Sequence, residues 1–120
     1  MKYINYDAEG DILSLTFLEA ETHTGIELSD NIVFYYNPET EESLGLVLLS
    51  YRALLQASVH KPLPLDGLAR APKNVQQVVV SLLQRAPVTN FLQLVEMRNK
   101  KFPASRLSQV FSPSALQAVA

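Results

Sequence analysis

The rhythm of apolar and polar positions changes once along this 120-residue chain, at Tyr51. Before that point the period is two, the repeat of a strand with one side in a core. Residues 12–18 show it most clearly: Leu13, Leu15 and Phe17 fall on one side, Ser14 and Thr16 on the other. Residues 2–6 form a shorter strand candidate. The stretch Asp7-Ala8-Glu9-Gly10-Asp11 that follows reads as a hairpin turn in which Gly10 admits positive φ. After a polar turn at Glu19-Ala20-Glu21, residues 22–29 set Ile26 and Leu28 opposite Glu27, and Asp30-Asn31 makes the next turn. Residues 32–36 and 44–49 then flank a polar segment opened by Asn37-Pro38, which suits the first two positions of a type I turn. Val33, Tyr35, Val47 and Leu49 share one side of this hairpin, and Phe34, Tyr36, Leu46 and Leu48 the other. Residues 44–49 are apolar at nearly every position, which predicts a strand in the middle of the sheet, covered on both faces.

From Tyr51 onward the strand pattern is gone. Residues 51–57 lack turn formers and predict two helical turns leaving the sheet. Residues 61–72 contain Pro62, Pro64, Gly67 and Pro72, the composition of an extended connector. Val75, Val78, Val79, Leu82 and Leu83 then recur at i, i+3, i+4, i+7 and i+8, which predicts an amphipathic helix over 75–85. Gln76, Gln77, Ser81, Gln84 and Arg85 form its wet side, with Pro72 near its start and Pro87 past its end. This helix is the expected lid for the second face of the sheet. Periodicity leaves residues 91–97 open between strand and helix. The charged run Arg98-Asn99-Lys100-Lys101 before Phe102-Pro103 favours a strand and a turn. Ser112-Pro113 supplies an N-cap and a first-turn proline for a short terminal helix. The expected fold class is α+β: an antiparallel β-meander of about five strands over residues 1–52, with a helical extension over 53–120 packed on it as one domain.

Composition narrows the function classes more by exclusion than by indication. The chain has no cysteine, which removes disulfides, thiolate nucleophiles and cysteine zinc sites together. The N-terminal residues lack the long apolar region of a signal peptide, and no apolar run is long enough to span a membrane. A soluble cytoplasmic protein with no membrane partner is expected. The net charge of −2 conceals an asymmetry, because residues 1–50 carry ten acids and one base, and residues 51–120 two acids and nine bases. Either the two parts neutralise each other where they pack, or each meets a different partner.

Candidate chemistry is sparse. Asp7, Glu9 and Asp11 alternate as in a calcium loop, but the downstream glycine and glutamate of that motif are missing, so they read as a solvated hairpin turn. His23 and His60 are the only histidines and have no metal-ligand spacing, and no glycine-rich phosphate motif is present. Arg98, Lys100, Lys101 and Phe102 make a small basic cluster, too short to outweigh the acidic first half, which argues against nucleic acid. His23, Tyr51 and Arg52 are the only polar groups that suggest a convergent site, and no cofactor or metal is implied. The apolar surface of the hairpin, with that of Phe91, Leu92, Leu94 and Val95, exceeds what a small monomer usually leaves in water, and a homodimer is expected.

Three stretches, Tyr6-Asp7-Ala8-Glu9-Gly10-Asp11-Ile12-Leu13-Ser14-Leu15, Ile32-Val33-Phe34-Tyr35-Tyr36-Asn37 and Leu44-Gly45-Leu46-Val47-Leu48-Leu49, resemble the small bacterial domain-of-unknown-function family 2283. The likeness covers about the first fifty residues. The chain departs from the family at Leu48-Leu49-Ser50, where an acidic residue is common, and in its long C-terminal extension. The resemblance implies a small β-meander of unsettled function, with some members encoded beside toxin-like genes, and it carries over no catalytic residue. Two function classes follow. One is a non-enzymatic interaction or regulatory protein, antitoxin-like, whose acidic sheet meets a basic protein. The other is a small enzyme or ligand-binding protein with a site near Tyr51, Arg52 and His23.

Overall fold

The computed structural model describes residues 3–95 and 104–107. Its first five elements are strands: β1 (Tyr3–Asp7), β2 (Ile12–Thr16), β3 (Thr24–Ser29), β4 (Ile32–Asn37) and β5 (Glu42–Leu49). All pair antiparallel in one sheet of order β1-β2-β5-β4-β3. The β1–β2 hairpin and the β3–β4–β5 meander are thus joined where β5 docks on β2, through pairs such as Ser14↔Val47 and Leu15↔Leu46. The strand with the most continuous apolar run is the central one, as its sequence predicts.

Two of the hairpin turns solve the same backbone problem in the same way. Asp7 Oδ1 accepts hydrogen bonds from the amides of Glu9 and Gly10, at 3.1 and 3.2 Å. Asn37 Oδ1 accepts from those of Glu39 and Thr40, at 2.9 and 3.3 Å. Each turn ends on a left-handed residue, Asp11 at φ 55° and Glu41 at φ 54°. Short polar side chains that bond their own backbone two and three residues on are the usual means of holding such turns. The left-handed residue of the first turn is Asp11, and no glycine has positive φ among the described residues, contrary to the role expected of Gly10.

A third left-handed residue, Ser50 at φ 52°, turns the chain out of β5 into helix α1 (Tyr51–His60). The expected connector is more structured than its prolines suggest. It holds the two-residue strand β6 (Leu63–Pro64) and the short helix α2 (Asp66–Ala69). Helix α3 (Lys73–Leu83) follows, with Val79, Leu82 and Leu83 buried, as the periodicity requires. A 3₁₀ turn (Val88–Asn90) leads to β7 (Leu92–Val95), so the ambiguous apolar run is a strand. Strand β8 (Ala104–Leu107) lies between β6 and β7 in a three-stranded sheet. Four residues of mixed character gave no sign of it in the sequence. The expected charged turn at 98–101 and helix at 112–118 lie outside the described residues.

One core joins these parts. Leu13, Leu15, Phe34, Leu46 and Leu48 on one face of the large sheet pack with Leu54 and Leu55 of α1, Leu68 of α2 and Val79, Leu82 and Leu83 of α3. The Phe17 ring stacks on Phe91 with centroids 5.9 Å apart. Helix α2 abuts β3 so closely that a Cβ on Gly67 would run into the Glu27 carbonyl oxygen. All of this cover lies on the same face. Helix α3 is therefore not the lid of a second face, and β5 is not covered on both sides: Leu44, Leu46 and Leu48 are buried, while Val47 and Leu49 are only partly so. The sheet with one backing layer gives a slab of 40 × 38 × 21 Å, too thin for a third layer.

Candidate functional site

The residues nominated from sequence separate into two places. Tyr51 and Arg52 sit where β5 passes into α1, on the covered side of the sheet. The Asp11 carboxylate reaches this junction from the first hairpin. It accepts the Tyr6 hydroxyl at 2.7 Å and the Arg52 amide at 3.2 Å from each oxygen, while the Asp11 carbonyl accepts the Tyr51 amide at 3.0 Å. Asp11 therefore caps α1 from 41 residues away, the task a Ser50 side chain would ordinarily perform and here does not. The Tyr6 and Tyr51 rings meet edge to face at 6.3 Å, and the Arg52 guanidinium stands 5.8 Å from the Tyr6 ring centroid.

Burial, then the hydrogen bond to the Asp11 carboxylate, pushes the Tyr6 hydroxyl above its ordinary pKa. Burial, then the proximity of Tyr6, does the same to Tyr51. Both shifts favour the neutral phenol, the form a structural hydrogen-bond donor needs and a general base does not. The Tyr6 hydroxyl, the Asp11 carboxylate and the Arg52 amide are all engaged in holding the helix start to the hairpin.

His23 is elsewhere, on the other face. Along the central strands Ile12, Ser14, Thr16, Val33, Tyr35, Val47 and Leu49 alternate with the core residues and are only partly covered. The link between β2 and β3 must pass the ends of β5 and β4, and its start is fixed by the amides of Phe17 and Leu18, which donate to the Leu44 carbonyl at 2.8 and 3.3 Å. This brings Leu18, Glu19, Ala20 and His23 to the rim of a hollow of about 350 Å³ over Ser14, Thr16, Gly45 and Val47, walled by Tyr35. The His23 and Tyr35 rings are edge to face at 6.3 Å. Leu18, at 37 % exposure, is one of two large apolar side chains left exposed among the described residues.

Gly45 makes the floor possible. A Cβ there would come within 2.5 Å of the Leu15 carbonyl oxygen, beside the register shift between β4 and β5. Gly25 plays the matching part on β3, where a Cβ would meet the Tyr35 ring at 2.8 Å. The residues of this hollow were legible only in part. The alternation groups Val33, Tyr35, Val47 and Leu49, and a glycine inside a strand signals close approach. Nothing local shows that the loop after Phe17 folds over them. The union of Tyr6 and Asp11 with Tyr51 and Arg52 leaves no trace in residue spacing.

Charge distinguishes this hollow from the larger grooves between the layers. One, of about 500 Å³, has Glu41, Glu42 and Arg85 among its lining, and another, of about 460 Å³ along β3, has Asp30 and Arg70. Each of those holds at least one acid and an arginine together. The open-face hollow has Glu19 and, among the described residues, no lysine or arginine. The acidic sheet and its basic backing layer do not, among the described residues, neutralise each other by ion pairs either. Among the described residues the one salt bridge, Arg70–Asp66 at 4.0 Å, lies within the backing layer and is exposed.

Among the described residues no three His, Asp or Glu side chains gather to hold a metal ion, and no helix is long and apolar enough to cross a membrane. Comparison with models of protein families, with curated proteins and with solved structures finds no match to this chain.

Proposed function

We propose that this chain is a non-enzymatic interaction protein of the regulatory, antitoxin-like kind, acting in the cytoplasm, and that it binds a basic protein through the open face of its acidic sheet. The one-sided cover of the sheet carries the reading. The face left open has an apolar strip, Val33, Val47 and Leu49, beside Tyr35, with Glu19 and Glu27 near it and, among the described residues, no lysine or arginine lining its hollow. An apolar patch edged by one sign of charge suits a partner surface of opposite sign. The resemblance of residues 1–50 to family 2283 belongs to this reading, the backing layer being what this chain adds to the small sheet. A homodimer through the same face would set Glu19 and Glu27 of one copy against those of the other, so the charge layout favours a basic partner over a second copy. An enzyme built on Tyr51, Arg52 and His23 would need groups that stand on opposite faces of the sheet to converge.

Photo-reactive amino acids placed singly at Val47, Val33 and, on the wet side of α3, Gln77 test the proposal in the native cell. Cross-links to a protein of net positive charge from Val47 and Val33 but not from Gln77 are expected. Adducts between two copies of this chain, or equal labelling from Gln77, would overturn it.

A further inference from the structure

We infer that the hollow over Gly45 is the anchor of this contact and accepts one arginine side chain of the partner, an inference that rests on the open-face reading above. The volume of about 350 Å³ is at the low end for a small-molecule pocket and is open-sided, which suits a side chain delivered by a larger surface. Its parts match the two halves of an arginine. Leu18 and Val47 offer apolar surface to the methylene stem. Glu19 at the rim offers a carboxylate to the guanidinium, and the Tyr35 ring offers an aromatic surface to its plane. Among the described residues no lysine or arginine lines the hollow to oppose an incoming cation.

The aromatic wall is held in place. Gly25 leaves the space that the Tyr35 ring edge occupies, and His23 stands against the same ring at 61°. Gly45, whose missing side chain is enforced by the Leu15 carbonyl, keeps the floor empty. A lysine would gain the carboxylate but not the planar stacking or the forked hydrogen bonds, so arginine is the better fit.

The experiment is an amide-shift titration of the ¹⁵N-labelled full chain with Nα-acetyl-arginine methylamide, beside its citrulline and lysine counterparts. Citrulline keeps the shape and loses the charge. Saturable shifts at Thr16, Glu19, His23, Gly45 and Val47 are expected, with a dissociation constant on the order of 1 mM, as befits so small a ligand. Citrulline should not saturate, and lysine should bind about threefold more weakly. Glu19→Gln should weaken arginine about two- to fivefold, while Glu9→Gln, on the distant β1–β2 turn, should leave it unchanged. Tyr35→Leu should weaken it about as much as Glu19→Gln. Glu19 is exposed, so its variant keeps the test valid should Tyr35→Leu disturb the fold. Equal shifts from citrulline, or shifts confined to the groove at Glu41 and Arg85, would overturn the anchor. Cross-links from Val47 to a basic protein together with failed arginine binding overturn the anchor alone. Arginine binding without such cross-links overturns the broader reading and leaves the hollow as a site for the free side chain.

Discussion

Removing the Asp11 carboxylate should unfasten the first hairpin from the start of α1, and the cost is calculable from its bonds. Loss of an N-terminal helix cap costs about 1 kcal/mol. The Tyr6 hydroxyl donates to a charged oxygen at 2.7 Å, a bond worth about 1.5–3 kcal/mol, here at the lower end because the pair is only part-buried. Asp11→Ala should therefore destabilise by about 2–4 kcal/mol, a large share of the ~5–15 kcal/mol that holds an ordinary domain. It should lower Tm by roughly 10 °C in a chain of this length. Asp11→Asn keeps an acceptor and tolerates the left-handed backbone at φ 55°, so it should cost about 1 kcal/mol. The discriminating measurement is a double-mutant cycle with Tyr6→Phe, by urea denaturation. If the bond is real, the two changes should fall short of additivity by about 1 kcal/mol or more. Additivity within about 0.5 kcal/mol, or a silent Asp11→Ala, would show that the junction does not hold the helix.

Leu46→Glu should cost several kcal/mol by burying an unpaired carboxylate, while Val47→Glu on the open face should cost under about 1 kcal/mol, and equal effects in thermal melts would contradict one-sided cover. Val79→Asp and Leu82→Asp should prevent folding as judged by circular dichroism, and Gln77→Asp should be nearly neutral, unless α3 lies free of the core. Gly67→Ala should destabilise by about 1–3 kcal/mol because the obstacle is the Glu27 backbone, whereas Gly10→Ala meets chiefly a movable Asp7 side chain and should cost far less in denaturant titrations. The raised pKa values of Tyr6 and Tyr51 mean that above pH ~10 the unfolded chain releases phenolic protons that the folded chain keeps. The contribution of these two tyrosines to stability should thus be constant below that pH and be lost as pH rises through the folded values, and Tyr6→Phe should flatten the fall in an alkaline denaturation series.

The sheet was the legible part of this chain because its strands are short, alternating and divided by turn residues that bond their own backbone. The period of two fixes which residues share a side, so Leu13 with Leu15 and Val33 with Tyr35 are correctly grouped. It says nothing about which side is covered. The apolar run at 44–49 promised cover on both faces, yet Val47 and Leu49 remain partly exposed, because the backing elements share one core with Leu46 and Leu48 on the opposite side of the strand. Helix α3 was readable from its valines and leucines, but its destination was not. The connector at 61–72 misleads because Pro62 precedes and Pro64 lies within a two-residue strand, and Pro72 stands at the N-cap of α3, which leaves residues 66–69 free to make a one-turn helix. Strand β8 owes its conformation to partners on both sides, Leu63↔Ser105 and Leu94↔Ser105 among them, and not to its own residues. In the hollow, Gly45 and Tyr35 were visible as members of strands, and their meeting with His23 depends on a loop path that only the strand order reveals.

The sheet face left open to a partner can be measured directly in the free protein by methyl relaxation with a soluble paramagnetic agent. The methyl groups of Ile12, Val33, Val47 and Leu49 should relax strongly, while those of Leu13, Leu15, Ile32, Leu46 and Leu48 stay shielded. Equal shielding of both sets at micromolar concentration would mean that the face is already occupied, by a second copy or by the chain itself, and would contradict the proposal that it awaits a basic partner.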